Sequence, residues 1–95
     1  MNATGTARRW FAFGRVMGTP GALRVFTEAE IETCLDRHAA NDWGDLGDAD
    51  KGANDSALDD GSRILSSYRF PDGRKLWVIT EASRELTTVL LPEDY

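Results

Sequence analysis

The sequence predicts an α+β domain: an N-terminal strand and one or two helices, followed by an antiparallel sheet of three to four strands. Three observations carry this. Thr27 and Glu30 stand three residues apart, ahead of an apolar stripe (Ile31, Cys34, Leu35, His38) that recurs at helical spacing. Pro71-Asp72-Gly73 separates two runs rich in β-branched and aromatic residues. The length, 95 residues, suits a single domain over 1–95, with residues 1–8 expected to be flexible.

Taken in order, Arg9 to Met17 reads as a strand rich in aromatics, and Gly14 inside it marks a bulge or a close backbone approach. Thr19-Pro20 looks like a cap followed by proline at the first helical position, opening a short turn. The capping box at Thr27 starts a helix over Glu28 to Ala39, stopping near Asn41, with Phe26 and Ile31 spaced as a hydrophobic staple. Residues 41–61 hold Asp42, Asp45, Asp48, Asp50, Asp55, Asp59 and Asp60 against Lys51 alone, and Gly44, Gly47 and Gly52 punctuate them. The first half reads as a loop with Trp43 folded back on the core. Asn54 or Asp55 then caps a short helix through Leu58, with Gly61 past its end. Strands follow at Ile64 to Phe70, Lys75 to Thr80 and Thr87 to Leu91. Short links between them favour antiparallel pairing. Along the second of these, Leu76 and Val78 point one way and Trp77 and Ile79 the other, so both sheet faces are apolar. One face takes the Glu28–Ala39 helix. The other needs cover from the N-terminal strand, the Trp43 loop, a second copy in a homodimer or another molecule.

Composition narrows the function classes. Net charge is −5, which argues against sequence-independent binding to a phosphate backbone. Cys34 is the single cysteine, so an internal disulfide is impossible. There is no apolar run of signal-peptide or membrane-spanning length. A cytoplasmic protein with no membrane association is expected.

Catalytic vocabulary is thin. His38 is the lone histidine. It reads either as a packed core residue or as a general acid–base. No second His or Cys gives zinc-ligand spacing. Asp48-Ala49-Asp50-Lys51-Gly52 opens like a calcium loop, but Ala53 stands where that loop requires glycine and Asp59 where it requires glutamate. No metal and no cofactor is expected. His38 on a helix with Arg63, Tyr68, Arg84 and Thr87 on or beside a sheet would suit a small ribonuclease: arginines would stabilise transition-state charge and His38 would move the proton. The plainer alternative is cross-strand hydroxyl pairs and solvated arginines.

Asp42-Trp43-Gly44-Asp45, Gly61-Ser62-Arg63-Ile64-Leu65-Ser66-Ser67-Tyr68, Lys75-Leu76-Trp77-Val78-Ile79-Thr80-Glu81, Arg84, Thr87-Thr88 and Leu91-Pro92-Glu93-Asp94-Tyr95 run through most of the chain. With them it resembles a family of short bacterial proteins encoded on plasmids and integrative elements. Ser83 stands where that family often has Asp. The resemblance implies a mobile-element setting and brings no activity. The expectation is therefore a non-enzymatic accessory or interaction protein that binds a protein partner in anti-defence or regulation, with the acidic segment (Asp42, Trp43, Asp45, Asp48, Asp50) as its binding surface. The alternative is the toxin-like ribonuclease. A weaker third reading is a homodimeric regulator touching DNA through Arg8, Arg9 and Arg15.

Overall fold

The computed structural model describes residues 11–95. Residues 1–8, expected to be flexible, and Arg9 and Trp10 of the first expected strand lie outside the described residues. The chain is an α+β fold in which three helices pack on one face of a four-stranded sheet. In order the elements are β1 (Arg15–Gly18), α1 (Pro20–Val25), α2 (Glu28–Ala39), α3 (Asp48–Asp60), β2 (Ile64–Arg69), β3 (Lys75–Thr80) and β4 (Leu86–Leu90), closed by a 3-10 turn at Pro92–Asp94.

The local chemistry of the helix starts is as the sequence indicates. Thr19 Oγ1 accepts from the Ala22 amide at 3.2 Å, with Pro20 at the first helical position. At α2 the capping box is complete. The Glu30 amide donates to Thr27 Oγ1 at 3.1 Å, and the Thr27 amide donates to Glu30 Oε1 at 2.9 Å. Phe26 and Ile31 meet in the main core with Ala22, Cys34, Tyr68, Leu76, Val78 and Val89. A second cluster (Phe11, Phe13, Ala39, Trp43, Ala57 and Ile64) fills the space under the C-terminal end of α2. Leu76 and Ile64 are completely buried, and each stabilises the fold by about 1.5–3 kcal/mol.

Two expectations are corrected. The sheet order is β1-β4-β3-β2, and β2·β3 and β3·β4 are antiparallel, but β1 runs parallel to β4. The reason is topological. The chain leaves β1, crosses the sheet through three helices on one face, and re-enters at the far edge as β2. The β2–β3–β4 meander then carries it back, so β4 lands beside β1 in the same direction. The first half of residues 41–61 is also not all loop: α3 begins at Asp48. Gly52 in a helix interior costs about 1 kcal/mol relative to alanine. Asp48 and Asp50 in the first turn favour the positive helix N-terminus. Tertiary contacts of Asn54, Asp55 and Ala57 then hold the helix down. The expected C-terminal stop holds, with Gly61 in the left-handed region at φ 79°.

Helix α3 and the Trp43–Asp45 segment together seal the outer edge of β2. The Leu65 amide donates to Asn54 Oδ1 at 3.2 Å and its carbonyl accepts from Asn54 Nδ2 at 2.7 Å. The Ser67 amide donates to the Trp43 carbonyl at 3.1 Å, and the Ser67 carbonyl accepts from the Asp45 amide at 2.8 Å. Gly44 makes that approach possible. Its φ is 82°, and a Cβ there would overlap the Ser67 carbonyl oxygen.

The face of the sheet away from the helices carries Leu65, Trp77, Ile79, Thr88 and Leu90. Tyr95 meets the Trp77 ring edge-on, with centroids 5.6 Å apart, and Arg63 lies over Tyr95 while its Nη2 donates to the phenol oxygen at 2.9 Å. Trp43, one of the expected covers for this face, lies instead on the helix side, beside Ile64 and Phe11.

Two glycines test this account in opposite directions. Gly44→Ala lowers stability by about 2 kcal/mol or more, because it meets both strain and overlap. Gly52→Ala, with nothing within 4 Å of its added Cβ, raises stability by about 0.5–1 kcal/mol. Urea unfolding of both variants checks the pair.

Candidate functional site

The residues expected to form a nuclease cleft divide among four places. His38 comes from the last turn of α2, where the apolar stripe turns it inward, and it is completely buried. Its Nδ1 lies 2.6 Å from Ser66 Oγ on β2, and its Nε2 3.0 Å from Thr80 Oγ1 on β3. Thr80 Oγ1 is 2.8 Å from Thr87 Oγ1 on β4, and Thr87 donates to the Phe13 carbonyl at 2.8 Å.

The proton direction of this chain follows from its far end. A carbonyl only accepts, so the Thr87 hydroxyl donates to Phe13 and accepts from Thr80. Thr80 then accepts from His38 Nε2–H, which leaves Nδ1 unprotonated to accept from Ser66. The ring is thus fixed as the neutral Nε2–H tautomer. Phe11, Phe13 and Trp43 surround it, with ring centroids 5.2, 5.5 and 5.9 Å away. Burial in this apolar box pushes its pKa down to about 3. Ser66 beside His38 has the spacing of a nucleophile and its base. Ser66 is itself fully buried, however, and no substrate reaches it in this state.

Tyr68 is a second buried group. Its hydroxyl donates to the Asp42 carbonyl at 2.7 Å, and burial pushes its pKa up. Arg37 lies 4.6 Å from the Tyr68 ring centroid and pairs with Asp42 at 2.6 Å. Arg84 holds the end of α3. Its guanidinium donates to the Ala57 carbonyl at 2.9 Å, to that of Ser62 at 2.7 Å and to that of Glu81 at 3.2 Å. A cation at a helix C-terminus is electrostatically favoured. Arg63 is exposed and engaged with Tyr95 on the opposite face of the sheet. His38 and Thr87 therefore share one buried chain, Tyr68 belongs to the neighbouring core, and Arg63 and Arg84 lie elsewhere.

Trp43, Asp42 and Asp45 of the acidic segment are committed to architecture, whereas Asp48 and Asp50 are not. Trp43 is buried and its Nε1–H donates to Asp55 at 2.9 Å. Asp42 is held by Arg37, whose hydrogen bond keeps the carboxyl below its ordinary pKa. Asp45 faces both Arg69 and Lys75, at 3.8 and 3.7 Å. Asp48 and Asp50 are exposed on the first turn of α3. Among the described residues, no group of His, Cys, Asp and Glu side chains could hold a metal ion. No described helix is long and apolar enough to cross a membrane. Burial pushes the Cys34 thiol up to about 11, away from reactivity.

A different surface stands open. The large apolar side chains most exposed, apart from Tyr95, are Val16, Met17, Leu23 and Val25, and all four belong to β1 and α1. Val16, Met17 and Leu23 border a cleft of about 420 Å³ between β1 and α2, floored by Phe26, Ile31, Leu35 and Val89. Of the charged side chains among the described residues, Glu28 and Glu32 line it, one helical turn apart. Neither makes an ion pair with another described residue. Sequence reasoning missed this site. The signal was there in Val16-Met17, apolar on both faces of a strand, and in the Glu28/Glu32 spacing beside the apolar stripe of α2.

Sequence reasoning also missed Arg74. It clamps Glu30 through two nitrogens at 2.7 and 3.1 Å, binds Asp72 and the Val25 carbonyl, and lies over the Phe26 and Phe70 rings. The Arg74 hydrogen bond is the main reason that Glu30 has its pKa lowered to about 2. No family model, curated protein or solved structure matches the chain.

The buried histidine sets a pH dependence. The folded pKa lies below the ordinary 6.5, so as pH falls the unfolded chain takes up the proton first. The contribution of His38 is intact above pH 6.5 and is lost towards about pH 3, at about 1.4 kcal/mol per pH unit. Glu30, Asp42 and Asp72, with lowered pKa values, act in the same direction at lower pH. Urea midpoints measured from pH 7 to pH 4 should fall steeply, and His38→Leu should flatten that slope while lowering stability at pH 7. A slope unchanged in His38→Leu would contradict the neutral assignment.

Proposed function

We propose that the protein is a small non-enzymatic accessory or interaction protein of a mobile genetic element, acting by protein–protein binding in anti-defence or regulation. The mobile-element setting rests on the sequence resemblance. The binding reading rests on one observation: the groups with chemical potential are consumed inside the fold, whereas exposed apolar side chains gather around one cleft. Val16 is 47% exposed, Met17 49% and Leu23 59%. Apolar groups on a monomer surface are normal when scattered, but a contiguous patch beside a cleft marks an interaction surface. The surface moves from the acidic segment, where it was first expected, to the β1–α1–α2 side.

The ribonuclease alternative needs His38 to exchange protons with a substrate, and the ring has no solvent path in this state and both nitrogens engaged. Affinity capture from a bacterial host lysate at physiological salt, run with the wild type and with Met17→Glu/Leu23→Glu, tests the binding reading. The wild type should retain a stoichiometric protein that the double variant loses, while total RNA incubated with either remains intact. A harmless wild type that captures nothing would remove the support for binding, and RNA cleavage abolished by His38→Ala would install the alternative.

A further inference from the structure

We infer that the cleft beside β1 takes an extended segment of a partner protein that adds to the sheet as a fifth strand and carries lysine or arginine on its helix-facing side. This rests on the binding reading above and names the partner's chemistry. Three observations carry it.

The first is backbone geometry. The Arg15 amide donates to Glu85 and the Thr19 amide to Val89, both on the β4 side and both at 3.0 Å. Strand parity then turns Met17 the same way and leaves the amide and carbonyl of Val16 and Gly18 pointing off the open edge. Among the described residues nothing pairs with them. That edge is a template for strand addition, in which main-chain hydrogen bonds give affinity and side-chain pockets give specificity.

The second is the cleft. Val16 and Gly18 lie on the same sheet face as Thr87 and Val89, which is the helix-bearing face. Alternate side chains of an added strand would therefore point towards Leu23, Ile31 and Leu35. The third is charge. Glu28 and Glu32 stand on the α2 wall and form no ion pair with a described residue. A lysine or arginine on the added strand would lay its aliphatic stem along the apolar floor and bring its charge to these carboxylates.

The same charge disfavours a second copy as occupant. Two-fold pairing of β1 with β1 would bring both α2 acidic walls to the same side of the seam, on chains of net charge −5 each.

The test uses the full chain and a fluorescein-labelled peptide of sequence Thr-Lys-Thr-Val-Thr-Lys-Thr, with Thr-Glu-Thr-Val-Thr-Glu-Thr as its counterpart. Fluorescence anisotropy should show the lysine peptide binding and the glutamate peptide weaker by about tenfold or more. Glu28→Lys/Glu32→Lys should reverse that preference. Val16→Pro, which removes an outward amide and no bond to β4, should weaken binding by about tenfold or more. Amide hydrogen exchange at Val16 and Gly18 should be fast in the free chain and slow on adding lysine peptide, a readout that needs no variant.

Equal binding of both peptides, binding indifferent to Val16→Pro, or no binding would overturn the proposal. So would Val16 and Gly18 amides already protected in the free chain, since the chain's own N-terminal residues or a second copy would then hold the edge. If the peptides fail while lysate capture still depends on Met17 and Leu23, the binding reading stands and the strand-addition inference falls.

Discussion

The fold depends on His38 remaining neutral and fully hydrogen-bonded inside an aromatic box. Its two nitrogens join α2 to β2 and β3, and through Thr80 and Thr87 the chain reaches β4 and the segment ahead of β1. Each contact satisfies a group whose burial alone would cost about 1–3 kcal/mol. The network is therefore close to all-or-none: removing one member strands the next. It also explains the hydroxyls at the centre of the sheet. Ser66, Thr80 and Thr87 occupy inward positions where aliphatic residues would pack better, and each finds its partner in this one line.

A second constraint is how weak α3 is by itself. Its N-cap is Gly47, with no side-chain bond, and its interior holds Gly52. What fixes it is tertiary: Asn54 on Leu65, Asp55 under the Trp43 indole, Ala57 in the core and Arg84 across its last carbonyls. Arg84 itself has a left-handed backbone at φ 62°, a conformation uncommon outside glycine, asparagine and aspartate and held here by three carbonyl contacts. Other arginines and acidic residues act as ties of the same kind. Arg37 with Asp42, Arg74 with Glu30 and Asp72, and Arg69 and Lys75 around Asp45 pin loops to helices and strands.

Where local chemistry determines structure, the sequence was legible. Thr27 and Glu30 specify α2 to the residue, Lys75 to Thr80 is a strand as expected, and Gly61 ends α3. What failed was set by distant residues. The first turns of α3 were hidden, because what holds the helix down is tertiary: Leu65, Trp43 and Arg84. The parallel β1·β4 pair was hidden because strand direction at the edge follows from where three helices leave the chain. The ambiguity of His38 was one of burial. A histidine on an apolar stripe reads as core or as catalyst until its neighbours are known, and Ser66, Thr80 and Thr87 decide it. Glu28 and Glu32 carried no motif. They stand out only when neither is found in an ion pair among the described residues.

The two edges of the sheet are treated in opposite ways. β2 is closed over its length by four hydrogen bonds to Leu65 and Ser67, and Gly44 is held in a left-handed conformation to allow two of them. Soluble proteins cover edges because an open one recruits other chains. β1 receives no such cover from the described residues; it is four residues long, begins with the charged Arg15, and holds no proline. Its neighbours are the most exposed aliphatic side chains of the domain. Among the described residues the fold closes one edge completely and leaves the other beside an apolar, acidic-walled cleft. The asymmetry is the strongest physical reason to look for function at β1, since the buried polar set already has a complete account in the fold.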